Sequence, residues 1–241
     1  MTKNAVAKSH TLYDWPDGTK RSLAPSEDYE TDFPDTENPL SQGGIWLGGD
    51  QGGAMPFENM RTTPGRCFGT VLIEPGDIYN DSLGHINPAF REYSADQFVE
   101  GQIFWDTGYS PVSTHEALLG LRAKSSVAGP SFYEYYELLF NPGSQGMQLF
   151  WQDGTMGGYH EVTLSGPGFF EGVQNGSWLR GEVVGSAFSI YMWNGAEWDL
   201  GFTGADSNNT YGQPGLGAFA RVGSGMDYAR FCWSYFRCGN L

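Results

Sequence analysis

The chain lacks every short motif that would commit it to a reaction. It has no serine nucleophile elbow, no phosphate-binding glycine loop and no HExxH pair. Cysteine is scarce: Cys67, Cys232 and Cys238 form neither an even disulfide framework nor a Cys/His cluster at zinc spacing. Cys232 and Cys238 could pair across the last strand, but two buried thiols are the expected state. Basic residues are few, 13 against 28 acidic, for a formal charge of −15. Nucleic-acid binding needs basic stripes that release phosphate counterions, and an anionic membrane surface needs the same sign, so neither partner is expected. Neutral polysaccharide, cations and proteins remain. No apolar run approaches the ~18 residues of a membrane span, and the N-terminus has no signal-peptide core. No segment holds a 3.6-residue apolar period over three turns, which excludes helical folds.

What the chain has is glycine (35 residues), proline (13) and aromatics at 15%, spread along 241 residues. Turn residues everywhere with many aromatics predict an all-β protein of ten to twelve strands in two packed antiparallel sheets. The clearest stretch is Ser177–Arg221. Ser177–Val184 and Ala187–Trp193 join across Gly185-Ser186, and Asn194-Gly195 turns the second into Glu197–Thr203. Pro214-Gly215 then leads into Leu216–Arg221. Upstream, strands are predicted at Arg66–Ile73, Gln97–Trp105, His115–Ala123, Phe132–Phe140, Met147–Gln152 and Tyr159–Leu164. Gly48–Gly65 and Glu74–Arg91 are predicted loops. Met226–Arg237 closes the domain, with Phe231, Trp233 and Tyr235 assigned to one face. Residues 1–30 are polar and aperiodic, an arm or strap ahead of a sandwich domain at 31–241.

Four segments, in order, resemble the concanavalin A-like lectin/glucanase superfamily in its laminin-G-like jelly-roll form. They are Phe33 to Trp46 (F…ENPLSQGGIW), SADQFVEGQIFW at Ser94–Trp105, LLGLRA…FYEYYELLF…MQLFW at Leu118–Trp151, and GSWLRGEVVGSAFSIYMWNG with DSNNTYGQPGLGAF. The resemblance implies a fold shared by carbohydrate-binding modules, hydrolases, lyases, adhesion domains and phage particle proteins, with ligands on the concave sheet or at one rim. It implies no required cofactor but admits calcium, for which Asp32, Asp35, Asp77, Asp81, Asp206 and Asp227 are loop acids able to supply hard oxygens.

The acid patterns ExDxxE and ExDxE of the retaining hydrolases in that superfamily are absent. Glu134 and Glu137 would point to opposite faces of a strand, leaving Glu197 and Asp199 as the best carboxylate pair. A lyase could draw on Arg122, Tyr136 and His160 only if neighbouring strands align them. Sugar binding asks less: aromatic faces for CH groups, with polar neighbours for hydroxyls. The candidate carbohydrate-binding residues are Arg122, Tyr136, Trp151, Trp178, Tyr191 and Trp193, and no catalytic residue is assigned. The expected protein is a non-catalytic module of an extracellular particle, most simply a phage decoration, fibre or tail protein. It would attach through its N-terminal arm to other virion or surface proteins, with glycans as a further partner; an oligomer is compatible with this. A carbohydrate-binding module of a cell-surface system is the alternative, and a polysaccharide lyase or glycoside hydrolase the third.

Overall fold

The computed structural model describes residues 13–14, 20–21, 28–48, 58–70, 79–111, 115–125, 133–142, 147–154, 158–169, 172–221 and 230–241. In chain order the strands are β1 (Tyr13–Asp14), β2 (Lys20–Arg21), β3 (Tyr29–Thr31), β4 (Trp46–Gly48), β5 (Glu58–Asn59), β6 (Arg61–Thr63) and β7 (Arg66–Phe68). Next come β8 (Tyr79–Ile86), β9 (Gln97–Trp105), β10 (His115–Ser125), β11 (Tyr133–Phe140), β12 (Met147–Asp153), β13 (Tyr159–Val162) and β14 (Leu164–Ser165). The last five are β15 (Trp178–Val184), β16 (Ala187–Trp193), β17 (Trp198–Ala205), β18 (Gln213–Arg221) and β19 (Phe231–Asn240). No α-helix occurs among the described residues.

Two sheets form the sandwich. One has eight strands in the order β13-β12-β11-β10-β18-β8-β4, with β5 added beside β8. The other has nine, β14-β17-β16-β15-β9-β19-β7-β6, with β3 added beside β19. Alternation drives the packing, because every second side chain of a strand meets the opposite sheet. Val99 and Ile103 of β9, Leu179 and Val183 of β15 and Phe188 and Ile190 of β16 are buried against Leu119 and Leu121 of β10, Leu138 of β11 and Leu149 of β12. Trp233 of β19 crosses the interface and donates its indole N–H to Gly217 O of β18 at 2.9 Å. It fits because Gly101 lies beneath it: a Cβ there would come within 2.6 Å of the ring.

Five assignments change in the folded chain. The predicted loop Glu74–Arg91 contains β8, which pairs along its length with β18 and buries His85 to 1% exposure. Its polar composition hid a strand whose partner carries glycines (Gly215, Gly217), so the two backbones approach closely. The loop Gly48–Gly65 contains β5 and β6. Tyr159–Leu164 is two strands, β13 in one sheet and β14 in the other, broken at Thr163. Pro214-Gly215 lies inside β18. Tyr235 leaves the face of Phe231 and Trp233, because a register shift between Trp233 and Tyr235 turns Phe236 inward instead.

The three thiols are free and buried, so Cys232 and Cys238 are not paired. Within residues 1–30, β1 pairs with β2 through Tyr13–Arg21 and Asp14–Lys20, and β3 pairs with β19 through Thr31–Phe236, Glu30–Arg237 and Tyr29–Cys238.

Candidate functional site

The outer face of the nine-stranded sheet gathers half-buried aromatic side chains in one transverse line. Tyr235 of β19 opposes Gln102 of β9, and Gln102 opposes Trp178 of β15. One step beyond the Leu179–Met192 pair, Trp178 faces Trp193 of β16, and Trp193 opposes Trp198 of β17. The rings touch in pairs. Trp178 and Tyr235 lie 4.9 Å apart between centroids, leaning together over Gln102, and Trp193 and Trp198 lie 5.5 Å apart edge to face. The indole N–H of Trp193 has no hydrogen-bond acceptor.

A parallel line of charged and polar groups runs beside it: Arg237, Glu100, Arg180 and Tyr191 oppose one another in turn, and the exposed Leu200 ends the line. Glu100 is fully buried although it points outward, because Arg180 and Arg237 both bond its carboxylate and both stack over Phe98, at 4.2 and 5.2 Å. Arg180 also reaches Glu182 at 2.6 Å, and Arg237 reaches Asp28 at 2.5 Å. Tyr191 donates to Glu182 at 3.2 Å and Tyr235 to Glu30 at 2.6 Å. Burial pushes the Glu100 carboxyl up against the pull of the two guanidiniums. Burial pulls Arg237 down, but the carboxylates of Glu100 and Asp28 outweigh it and the group ends above its ordinary value. Burial raises the phenols of Tyr191 and Tyr235 as well. The result is a cross-linked polar shelf, richer in carboxylates than in guanidiniums, beside a row of rings.

Of the six candidates, this face brings together Trp178, Tyr191 and Trp193. It adds Trp198 and Tyr235, which sequence reasoning missed. Trp198 was legible from the Asn194-Gly195 turn, which sets it opposite Trp193. Tyr235 was not, because alternation carried through the bulge puts it inside.

The other three lie elsewhere. Arg122 is 1% exposed, with φ 55°. Its guanidinium donates to the carbonyls of Ala95 (2.9 Å), Asn209 (2.9 Å) and Gly185 (2.7 Å), tying three connections to one end of the sandwich. Tyr136 is fully buried against Phe188 at 4.5 Å, and its hydroxyl donates to Asp206. Trp151 is half-buried at the opposite edge of the eight-stranded sheet, stacked on the exposed His160 at 4.9 Å; His160 in turn bonds Asp153 at 3.0 Å. Arg122, Tyr136 and His160 therefore present no common open surface.

A second carboxylate environment sits on the outer side of the eight-stranded sheet. Glu137 is 5% exposed and accepts from Tyr135 at 3.0 Å. Burial chiefly, with the charge of Glu116 adding to it, raises its carboxyl to about 8. Glu197 and Asp199 are exposed, and Asp199 accepts from Asn194 at 2.9 Å.

Among the described residues the calcium candidates do not assemble. Asp32 and Asp35 are exposed, Asp206 spends its oxygens on Tyr136 and Asn208, and Asp81 is a residue of strand β8 rather than of a loop. Asp77 and Asp227 lie outside the described residues. Among the described residues no group of three or more His, Cys, Asp or Glu side chains could hold a metal ion, and no helix is long and apolar enough to cross a membrane.

No protein-family model matches the chain, and no curated protein matches it. Solved structures do. The VIP36 exoplasmic/lumenal domain, in a form bound to Ca2+ and Man3GlcNAc, superimposes with TM-score 0.51 at 10% identity, over 90% of this chain and 91% of that one. The CBM2 module of the evolved Dit of Lactobacillus casei BL23 phage J-1 gives 0.50 at 11% identity, over 89% and 97%. The Bacillus licheniformis β-glucanase gives 0.50 at 8% identity, over 90% and 97%. At such identities the likeness concerns architecture alone, and the architecture of this chain is the concanavalin A-like jelly roll.

Proposed function

We propose that the protein is a non-catalytic glycan-binding β-sandwich whose binding surface is the outer face of the nine-stranded sheet. One observation carries this: Tyr235, Trp178, Trp193 and Trp198 stand half-exposed in a single row, flanked by polar groups already held in place by one another. Rings that present CH-binding faces next to fixed hydroxyl partners are what sugar recognition requires. Their rigidity lowers the ordering cost of binding.

The module belongs to an extracellular particle, a phage fibre, decoration or tail component, with the N-terminal arm as its attachment to other virion or surface proteins. The shared fold of the phage J-1 Dit module supports this setting, as does the tie of residues 28–31 to β19, which gives an arm a firm root. A glycan array probed with the full chain tests the reading. Binding to at least one glycan, weakened about ten-fold or more in Trp193→Ala, is expected. An array blank at every glycan sinks it.

A glycoside hydrolase is the second reading, favoured by Glu137: a carboxyl still protonated near neutral pH suits a general acid, with Glu116 as its companion charge. New reducing ends released from a polysaccharide by the full chain, and lost in Glu137→Gln, would promote it over the first.

A further inference from the structure

Building on the glycan-binding reading, we infer that the ligand is a single uncharged polysaccharide chain lying across the strands. The row from Tyr235 to Trp198 covers the adjacent strands β19, β9, β15, β16 and β17. Four strand spacings of about 4.8 Å make a platform about 19 Å long, room for about four sugars of an extended chain. A chain laid along the strands would find no such platform. From Trp178, β15 next presents Arg180 and Glu182, and from Trp193, β16 next presents Tyr191 and Ser189. Along these two strands the aromatic surface extends by Tyr191 alone, whereas across the sheet rings recur on β19, β15, β16 and β17.

The charge of the ligand follows from the shelf beside the rings. Asp28, Glu30, Glu100 and Glu182 contribute four carboxylates against the two guanidiniums of Arg180 and Arg237. Each guanidinium is already bonded to two of those carboxylates. A uronate or sulfate brought to this face would lose its water, meet a net negative surface and displace an existing pair to gain a cation. A hydroxyl can use the carboxylates as acceptors without that cost. The number of chains follows from sheet twist. Adjacent strands rotate by roughly 20–25°, so the row fans through about 80–100° over four spacings. A flat crystalline surface meets only part of such a row, whereas one flexible chain follows all of it.

Affinity electrophoresis of the full chain through gels containing hydroxyethylcellulose, dextran, mixed-linkage β-glucan, galactomannan or xyloglucan tests this, each beside its carboxymethylated derivative at low salt. We expect retardation by at least one neutral polymer and at least ten-fold weaker retardation by the derivative of that polymer. Affinity for its oligosaccharides should rise to about four units and then level. Trp178→Ala and Trp198→Ala should each weaken binding ten-fold or more, and Trp178→Phe, which keeps a ring and the packing, should restore part of it. Equal or tighter binding of the carboxymethylated polymer overturns the uncharged ligand while leaving glycan binding intact. Retention unchanged in Trp198→Ala and Trp178→Phe alike overturns the row as its seat. No retardation in any gel overturns both this inference and the reading beneath it.

Discussion

Arg122 shows how much one residue can fix. It sits where β10 shifts register against β11 and β18, its backbone in the left-handed region that costs most residues about a kcal/mol or more. The arrangement persists because the side chain supplies three donors to backbone carbonyls, its own N–H goes to Gln97 and its carbonyl accepts from Asn209. Arg122→Ala removes all three bonds together with a fully buried side chain, and is expected to cost more than about 3 kcal/mol in urea unfolding. Arg122→Lys keeps the charge but not the fork and should recover less than half of the loss. The sequence marked Arg122 as important, but for contact with a ligand; only its burial shows that the guanidinium is spent on backbone carbonyls, with Asp96 at 4.0 Å.

Glu137 gives a second test at this scale. Its folded carboxyl titrates at about 8, against 4.5 in an unfolded chain. Between those values the folded state holds a proton that the unfolded state has released, so stability falls as pH rises through the window and levels off above it. Thermal melts from pH 4.5 to 9 should show this decline. Glu137→Gln, neutral throughout, should flatten it and melt higher than the parent at pH 9. A parent whose melting point is flat over that range would refute the raised value.

Among the elements, β19 does most to shape the site. It binds β9 along nine paired positions, takes β3 and β7 on its other side, and changes register once, between Trp233 and Tyr235. That single bulge sends Trp233 into the core and Tyr235 out to Trp178. Gly101 makes the inward half possible. In Gly101→Ala the new methyl would press on a rigid ring from 2.6 Å. We expect a loss of about 1–3 kcal/mol with a changed near-ultraviolet dichroism of Trp233. Wild-type stability in that variant would mean that the tryptophan packs elsewhere. The strands β9, β11, β12, β15 and β16 were legible to within a residue or two, since apolar alternation and turn chemistry agree there. Strand β8 was not, because YNDSLGHI gains its burial from the glycine-rich neighbour rather than from its own apolar content.

For the whole molecule, three cysteines in a closed sandwich report on its integrity. Burial raises all three thiols above the ordinary cysteine range, Cys232 to about 12, with Tyr93 beside Cys238. Thiolate is the reactive form. The native protein should therefore be inert to a thiol reagent at pH 8, and all three thiols should react once guanidinium opens the sheets. Fast labelling of any one of them in the native state would contradict the packing of β7 and β19.

Composition and periodicity by themselves determined the class: many turns, alternating apolar residues and no helical period leave two stacked sheets as the way to bury the core. They also set the charge balance and the general place of Trp178, Tyr191 and Trp193 on one outward face, since alternation is a local property of each strand. Only the tertiary structure decided which strands are neighbours. Register between β19, β9, β15, β16 and β17 depends on contacts distant in sequence, and it is register that lines up Tyr235, Trp178, Trp193 and Trp198. The same contacts withdrew Arg122 and Tyr136 into the interior, because a residue is exposed or buried by what packs over it, and no strand carries that information alone.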